Sequence, residues 1–208
     1  MNYIAIIDYG VGNLFSLSSS LKYIGMDSIV TDKAEEIEKA RSIILPGVGA
    51  FRGAMDRLYR TGLVPVINRQ VSMGKPLMGI CLGMQMLFDE SHEYGIHKGL
   101  GYISGTVCSL EDDFADGKIE LKVPHVGWSG LEISDAGHPL MKYTKEGDYF
   151  YFVHSFYAKN CRDNIVASVN YGVTIPAVVA KGNVFGCQFH PEKSGETGLR
   201  VLKAFSEI

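Results

Sequence analysis

Lys75-Pro76-Leu77-Met78-Gly79-Ile80-Cys81-Leu82-Gly83-Met84-Gln85 decides how this chain folds. A short apolar run ends in Gly-x-Cys-x-Gly, and apolar residues at Met84, Leu87 and Phe88 then follow a helical spacing. In sequence this reads as a strand, a sharp turn and a helix, the nucleophile-elbow arrangement with cysteine in place of serine. Gly79 and Gly83 flank Cys81 with almost no side chain, so the turn can be tight and the helix can approach the strand. The helix expected after Cys81 directs its positive dipole end at the sulfur, which favours the thiolate, the reactive form of cysteine. The plain alternative is a buried structural cysteine between two packing glycines, and the rest of the chain decides between the two.

Towards the N-terminus, residues 2–8 are rich in Ile and read as a buried strand, broken by Tyr9-Gly10-Val11-Gly12-Asn13. Leu14, Leu17, Leu21 and Ile24 recur at helical spacing up to Gly25. Residues 28–31 form a short strand, and Asp32 is placed to cap a helix over 34–39. A third strand over 42–45 ends in Pro46-Gly47-Val48-Gly49, a loop that leads into a helix starting near Phe51. A further helix covers 63–72. Strands alternating with helical patterns predict a parallel sheet with helices on both faces. After Gly95 the pattern changes to short strand-like segments at 101–110, 123–133, 149–157, 165–171, 178–181 and 184–189. Many of these read as antiparallel, joined by loops such as 113–117 and Lys181-Gly182-Asn183, and a last helix covers 196–205. No repeat, low-complexity tract or linker separates the halves. The expected fold is therefore α/β, one domain over 1–208, with a mixed, mostly parallel central sheet flanked by helices and antiparallel strands in the C-terminal half.

Composition limits the function. With 208 residues, 46% hydrophobic and 21% charged, the chain can bury a full core. A net charge of −3 and the lack of a long basic run argue against nucleic acid and anionic membranes as partners. The four cysteines (Cys81, Cys108, Cys161, Cys187) form no Cys-x-x-Cys pair and no Cys/His ligand spacing, so neither a metal nor another cofactor is expected. No apolar stretch approaches a membrane span, and no basic segment precedes the first strand as a signal peptide would require. The expectation is a cytoplasmic protein with reduced thiols.

The second chemical stretch is Gln188-Phe189-His190-Pro191-Glu192-Lys193-Ser194, at the end of the last strand. His190 and Glu192 are two apart, so in extended backbone they point to one side. Pro191 stiffens the chain between them and keeps His190 out of a helical turn. A carboxylate beside an imidazole holds its tautomer and stabilises the imidazolium, as the third member of a catalytic triad does. Cys81, His190 and Glu192 then read as nucleophile, general base and orienter. Both segments sit at C-terminal strand ends, where parallel-sheet enzymes place their sites. Attack on an acyl carbon also needs donors aimed at the developing oxyanion. The amide of Leu82, just after the nucleophile, is one candidate, and Val48 between its two glycines is the other.

Pro46-Gly47-Val48-Gly49, Gly79-Ile80-Cys81-Leu82-Gly83-Met84-Gln85 and Gln188-Phe189-His190-Pro191-Glu192 resemble, in order and spacing, the three hallmark segments of class I (triad) glutamine amidotransferases. Asp8-Tyr9-Gly10-Val11-Gly12-Asn13, Pro124-His125-Val126-Gly127-Trp128 and Tyr151-Phe152-Val153-His154-Ser155-Phe156 are similar, more narrowly, to the HisH family of glutaminase subunits of imidazole glycerol phosphate synthase. The resemblance implies hydrolysis of L-glutamine to glutamate and ammonia, with substrate contacts at Gly49, Gln85, Ser155 and Phe156. It also implies a heterodimer with a (β/α)₈ barrel cyclase that receives the ammonia, and a docking face including Asn13, Trp128, Tyr151 and Lys193. The cyclase products implied are imidazole glycerol phosphate and an aminoimidazole carboxamide ribotide, in histidine biosynthesis. The chain departs from the family at Ser129, where asparagine usually follows Gly-Trp. Other readings of the same residues are a glutaminase serving a different synthase, such as one amidating a surface sugar, a regulatory subunit on a non-catalytic scaffold, or a γ-glutamyl or peptide hydrolase acting alone.

Overall fold

A computed structural model describes residues 3–208. In chain order its first half contains β1 (Tyr3–Ile7), α1 (Leu14–Tyr23), β2 (Asp27–Thr31), α2 (Ala34–Lys39), β3 (Ser42–Gly47), α3 (Phe51–Arg60), α4 (Val64–Ser72), β4 (Leu77–Cys81) and α5 (Leu82–Gln85). There follow β5 (Phe88–Ser91), β6 (His97–Lys98), β7 (Ile103–Ser109), α6 (Leu110–Gly117), β8 (His125–Gly130) and β9 (Glu132–Ile133). The chain closes with β10 (Tyr149–His154), β11 (Phe156–Lys159), β12 (Ile165–Tyr171), β13 (Val173–Lys181), β14 (Val184–Cys187) and α7 (Gly195–Ser206).

The central sheet has eight strands in the order β2-β1-β3-β4-β14-β13-β12-β9. From β2 to β14 every pairing is parallel, and from β14 to β9 every pairing is antiparallel. β1, β3 and β4 are buried on both faces, and their alternate residues feed two cores, while β2 is a partly exposed edge strand. Ala5, Ile7, Ile43 and Leu45 pack with α2, α3 and α4 through Ile37, Phe51, Met55, Leu58 and Ile67. Ile4, Ile6, Ile44 and Met78 pack with α1 and α7 through Leu17, Leu21, Val201, Leu202 and Phe205. Each such fully buried aliphatic side chain contributes about 1.5–3 kcal/mol relative to exposure. The Asn2 end of the first expected strand lies outside the described residues.

The expected α/β architecture is present, with four local corrections. The strands of the second half do not all join the central sheet: β11-β7-β5-β6 form a four-stranded sheet and β10-β8 a two-stranded ribbon. The helix after Cys81 is a single turn, and Leu87 and Phe88 are not on it. Leu100, Tyr102 and Gly101 donate to the carbonyls of Met86, Leu87 and Phe88, so those carbonyls serve sheet-like partners rather than a second helical turn. Residues 113–117 belong to α6, where Ser109 accepts from the amides of Glu111 and Asp112 and three acids occupy the first turn. That cap and acidic turn were a legible helix start. Finally, Asp32 does not cap α2: Lys33 occupies that position without a side-chain bond, and its amide donates to the hydroxyl of Thr31.

Candidate active site

The elbow forms because two backbones can touch. A Cβ at Gly83 would stand 1.9 Å from the carbonyl oxygen of Leu45, and one at Gly79 would stand 2.5 Å from that of Gly83. Only glycine permits α5 to lie this close to β3 and β4. Cys81 itself has φ 54° and ψ −112°, an unfavourable conformation for a residue with a Cβ. Such strain persists only where surrounding packing enforces it, as at a nucleophile elbow. Because α5 is one turn long, its dipole is small, and the charge that faces the sulfur comes from elsewhere.

That charge is carried by His190. β14 lies beside β4, with Cys187 opposite Ile80, so the two chemical stretches leave the sheet at neighbouring positions. His190 is extended and the turn Pro191–Lys193 follows it. Its Nδ1 donates to Oε1 of Glu192 across 2.8 Å. Its ring lies beside the Cys81 side chain, and the two line the same cavity. Burial alone would lower the His190 pKa, but the contacts with Cys81 and Glu192 outweigh it and raise the value to about 9. The imidazole thus carries its proton at neutral pH and faces the sulfur. Ser194 locks the turn, accepting from the Tyr151 amide and donating to the His190 carbonyl.

Cys81 and His190 open on a cavity of about 470 Å³, in the size range of small-molecule sites. Val48, Gly49, Leu82, Gln85, Ser155 and Phe156 all line it, so the expected oxyanion and substrate residues converge there. Tyr9 holds the start of the Val48 loop: its hydroxyl donates to the Pro46 carbonyl at 2.6 Å, which accounts for a tyrosine two residues past the first strand. Gln85 is 5% exposed, so it is part of the wall rather than a solvent-facing helix residue. Its Nε2 donates to the Phe156 carbonyl at 2.8 Å and to Oε1 of Gln188 at 3.0 Å.

Of the residues expected at a docking face, three cluster. Trp128 is 52% exposed on β8, so it is not a core tryptophan. Its ring meets Tyr151 edge-on at 6.1 Å, and Nζ of Lys193 lies 6.0 Å from the Tyr151 ring centroid. Asn13 is not in contact with them in this way; it lines a small recess together with Pro46, Ile80, His190 and Glu192. The structure adds wall residues that no motif announced. Glu93 and Tyr94 line the cavity, and the Glu93 carboxylate accepts from the Phe51 amide at the start of α3. They were hidden because they sit in a turn between β5 and β6, strands that carry no periodic signal. Gln188, fully buried, is in sequence only a flank of His190; in the fold its Nε2 donates to Sγ of Cys81 at 3.7 Å. Among the described residues no cluster of His, Cys, Asp or Glu is placed to hold a metal ion, and no helix is long and apolar enough to cross a membrane.

The elbow, the acid–imidazole–sulfur contacts and the sheet order coincide with a match of residues 5–207 to the model of the glutamine amidotransferase class-I family. The chain belongs to that family. A chain described as a glutamine amidotransferase superposes with a TM-score of 0.74 at 20% identity over 98% of this chain and 97% of that one. A chain of the PurLQS structure from Thermotoga maritima gives 0.74 at 23% identity, covering 99% and 98%. These two share the fold. Much nearer in sequence are imidazole glycerol phosphate synthase subunits HisH. Those of Bacillus velezensis and Caldanaerobacter subterraneus are each 50% identical over 206 residues, which is 99% of this chain and 96% and 98% of theirs. Within the family, the chain groups with these HisH subunits.

Proposed function

We propose that this chain hydrolyses L-glutamine to glutamate and ammonia as the glutaminase subunit of imidazole glycerol phosphate synthase. The observation that carries the reading is His190 between the Cys81 sulfur and the Glu192 carboxylate, at the mouth of a cavity lined by Gln85 and Phe156. The sulfur of Cys81 attacks the side-chain carbonyl carbon of glutamine and a C–S bond forms. The oxyanion is held by the amides of Leu82 and Val48. His190 gives its proton to the amide nitrogen, the C–N bond breaks and ammonia leaves. His190, now neutral, takes a proton from water, which attacks the γ-glutamyl thioester. The C–S bond breaks and glutamate is released. Gly49, Gln85, Ser155 and Phe156 hold the amino-acid end, and the Glu93 carboxylate in the wall suits an α-ammonium group.

The ammonia passes to a (β/α)₈ barrel cyclase seated on the face that carries Trp128, Tyr151 and Lys193, with Asn13 at its edge. A half-exposed tryptophan beside a tyrosine, next to the cavity-lining Lys193, has the character of an interface anchor. Lys193 is placed to meet an acid of the partner, and delivery from glutamine to barrel needs no cofactor on this chain. The unpaired Cys81, Cys108, Cys161 and Cys187 suit the cytoplasm. The test is a complex reconstituted with a cyclase of this type. Cys81→Ala is expected to abolish glutamine-dependent formation of imidazole glycerol phosphate while ammonia-dependent formation persists. Equal loss of both activities overturns the division of labour, and strong glutamine hydrolysis that ignores the cyclase overturns the subunit reading.

A further inference from the structure

We propose that Ser129, His125 and His154 form a run of hydrogen bonds that donates into the Phe156 carbonyl, where it meets a second run from Gln85 through Gln188 to the Cys81 sulfur, making Gln188 a positioning residue for that sulfur. The joined chain of bonds starts on β8 and ends at the elbow. His125 Nε2 lies 2.9 Å from the Ser129 hydroxyl, and His125 Nδ1 lies 3.1 Å from His154 Nε2. His154 Nδ1 lies 2.9 Å from the Phe156 carbonyl oxygen.

The direction of every bond follows from that carbonyl, which can only accept. His154 must therefore carry hydrogen on Nδ1. In a neutral ring its Nε2 then accepts, so His125 carries hydrogen on Nδ1 and its own Nε2 accepts from Ser129. The rings are neutral because both are buried, at 2% and 6% exposure, and His154 also stands near His190. Burial lowers the His125 pKa to about 4, and burial with the neighbouring His125 lowers that of His154 to about 3. On the other side of the carbonyl, Gln85 spends both amide hydrogens, one on Phe156 and one on Gln188 Oε1. Gln188 is thereby oriented with its Nε2 towards the sulfur. A flipped Gln188 would set two N–H₂ groups against each other.

The chain gives the inner face of the β8–β10 ribbon a line to the nucleophile, while the outer face carries Trp128 and Tyr151. This use of the ribbon as a sensor rests on the docking proposed above, whereas the orientation of the sulfur does not. Two measurements need no glutamine. Imidazole ¹⁵N spectra of the wild-type protein at neutral pH are expected to show both His125 and His154 protonated on Nδ1 only. Alkylation of Cys81 by iodoacetamide, followed on the Cys81 peptide by mass spectrometry, is expected to slow about tenfold in Gln188→Met and about threefold in Ser129→Ala. Ser129→Asn, which keeps a donor for His125, is expected to retain the wild-type rate. Ser129 is only half-buried, so its variants test the chain without disturbing the core should Gln188→Met fail to fold. A proton on Nε2 of either ring, or a wild-type rate in Ser129→Ala, overturns the proposal, as does a slowing in Ser129→Asn equal to that in Ser129→Ala. Glutamine turnover is read separately. A wild-type protein that never hydrolyses glutamine, with the stated tautomers and alkylation rates, would remove the functional reading and leave the chain of bonds standing.

Discussion

Nδ1 of His190 and Oε1 of Glu192 lie 2.8 Å apart, with both side chains only 3% exposed. The other carboxylate oxygen of Glu192 is buried with no hydrogen-bond partner among the described residues. The imidazole is therefore what balances this carboxylate, and the carboxylate sets which ring nitrogen faces Cys81. Glu192→Gln removes the charge while keeping the shape. It is expected to lower kcat for glutamine hydrolysis by about 10²–10⁴-fold with little change in KM, measured by steady-state glutamate release.

The histidines make stability depend on pH in opposite directions. His190 is raised from 6.5 to about 9, so the folded state binds its proton more tightly than the unfolded state. Its contribution is complete below pH 6.5 and is lost as pH rises through about 9. His125 and His154 are lowered from 6.5 to about 4 and about 3, so their contribution is complete above 6.5 and is lost as pH falls towards those values. Urea midpoints between pH 5 and pH 9.5 read both limbs. Glu192→Gln is expected to flatten the alkaline limb and His125→Gln the acid limb, where each buried imidazole accounts for about 1.4 kcal/mol per pH unit.

The contact of Gly83 with the Leu45 carbonyl separates structural glycines from incidental ones. Gly83→Ala puts its new methyl 1.9 Å from backbone that cannot yield, and is expected to destabilise the fold by more than about 3 kcal/mol. Gly53, within α3, has nothing within 4 Å of its would-be Cβ. Gly53→Ala is expected to stabilise by about 0.5–1 kcal/mol, since alanine is the better helix former. Chemical denaturation of the two variants checks both signs.

Trp128 is exposed in the isolated chain, so truncating it should leave the fold alone and act on association. Trp128→Ala is expected to raise the Kd for the cyclase by about 30-fold or more, with Tm within about 2 °C of wild type. Calorimetric titration and a thermal melt distinguish this from a core defect, in which Tm would fall and binding loss would follow it.

The residue types at Cys81, His190 and Glu192, the glycines around the elbow and the alternation of strand and helix were legible in the sequence, because each rests on local chemistry. A Gly-x-Cys-x-Gly turn, a two-residue spacing across Pro191 and an apolar period need only neighbours along the chain to be read. The length of the elbow helix escapes local chemistry for the same reason in reverse. Met84, Leu87 and Phe88 keep a helical spacing, but the amides of Leu100, Gly101 and Tyr102, remote in sequence, take the carbonyls a longer helix would need. Glu93, Gln188 and the His125–His154 pair were likewise beyond local reading. Their roles come from contacts between segments 29 to 107 residues apart, or from a turn that reaches the cavity only after the sheets have packed. The sequence alone determined which atoms can do the chemistry. The tertiary structure alone decided how they are aimed, because a hydrogen bond's direction is set by the partner that packing supplies.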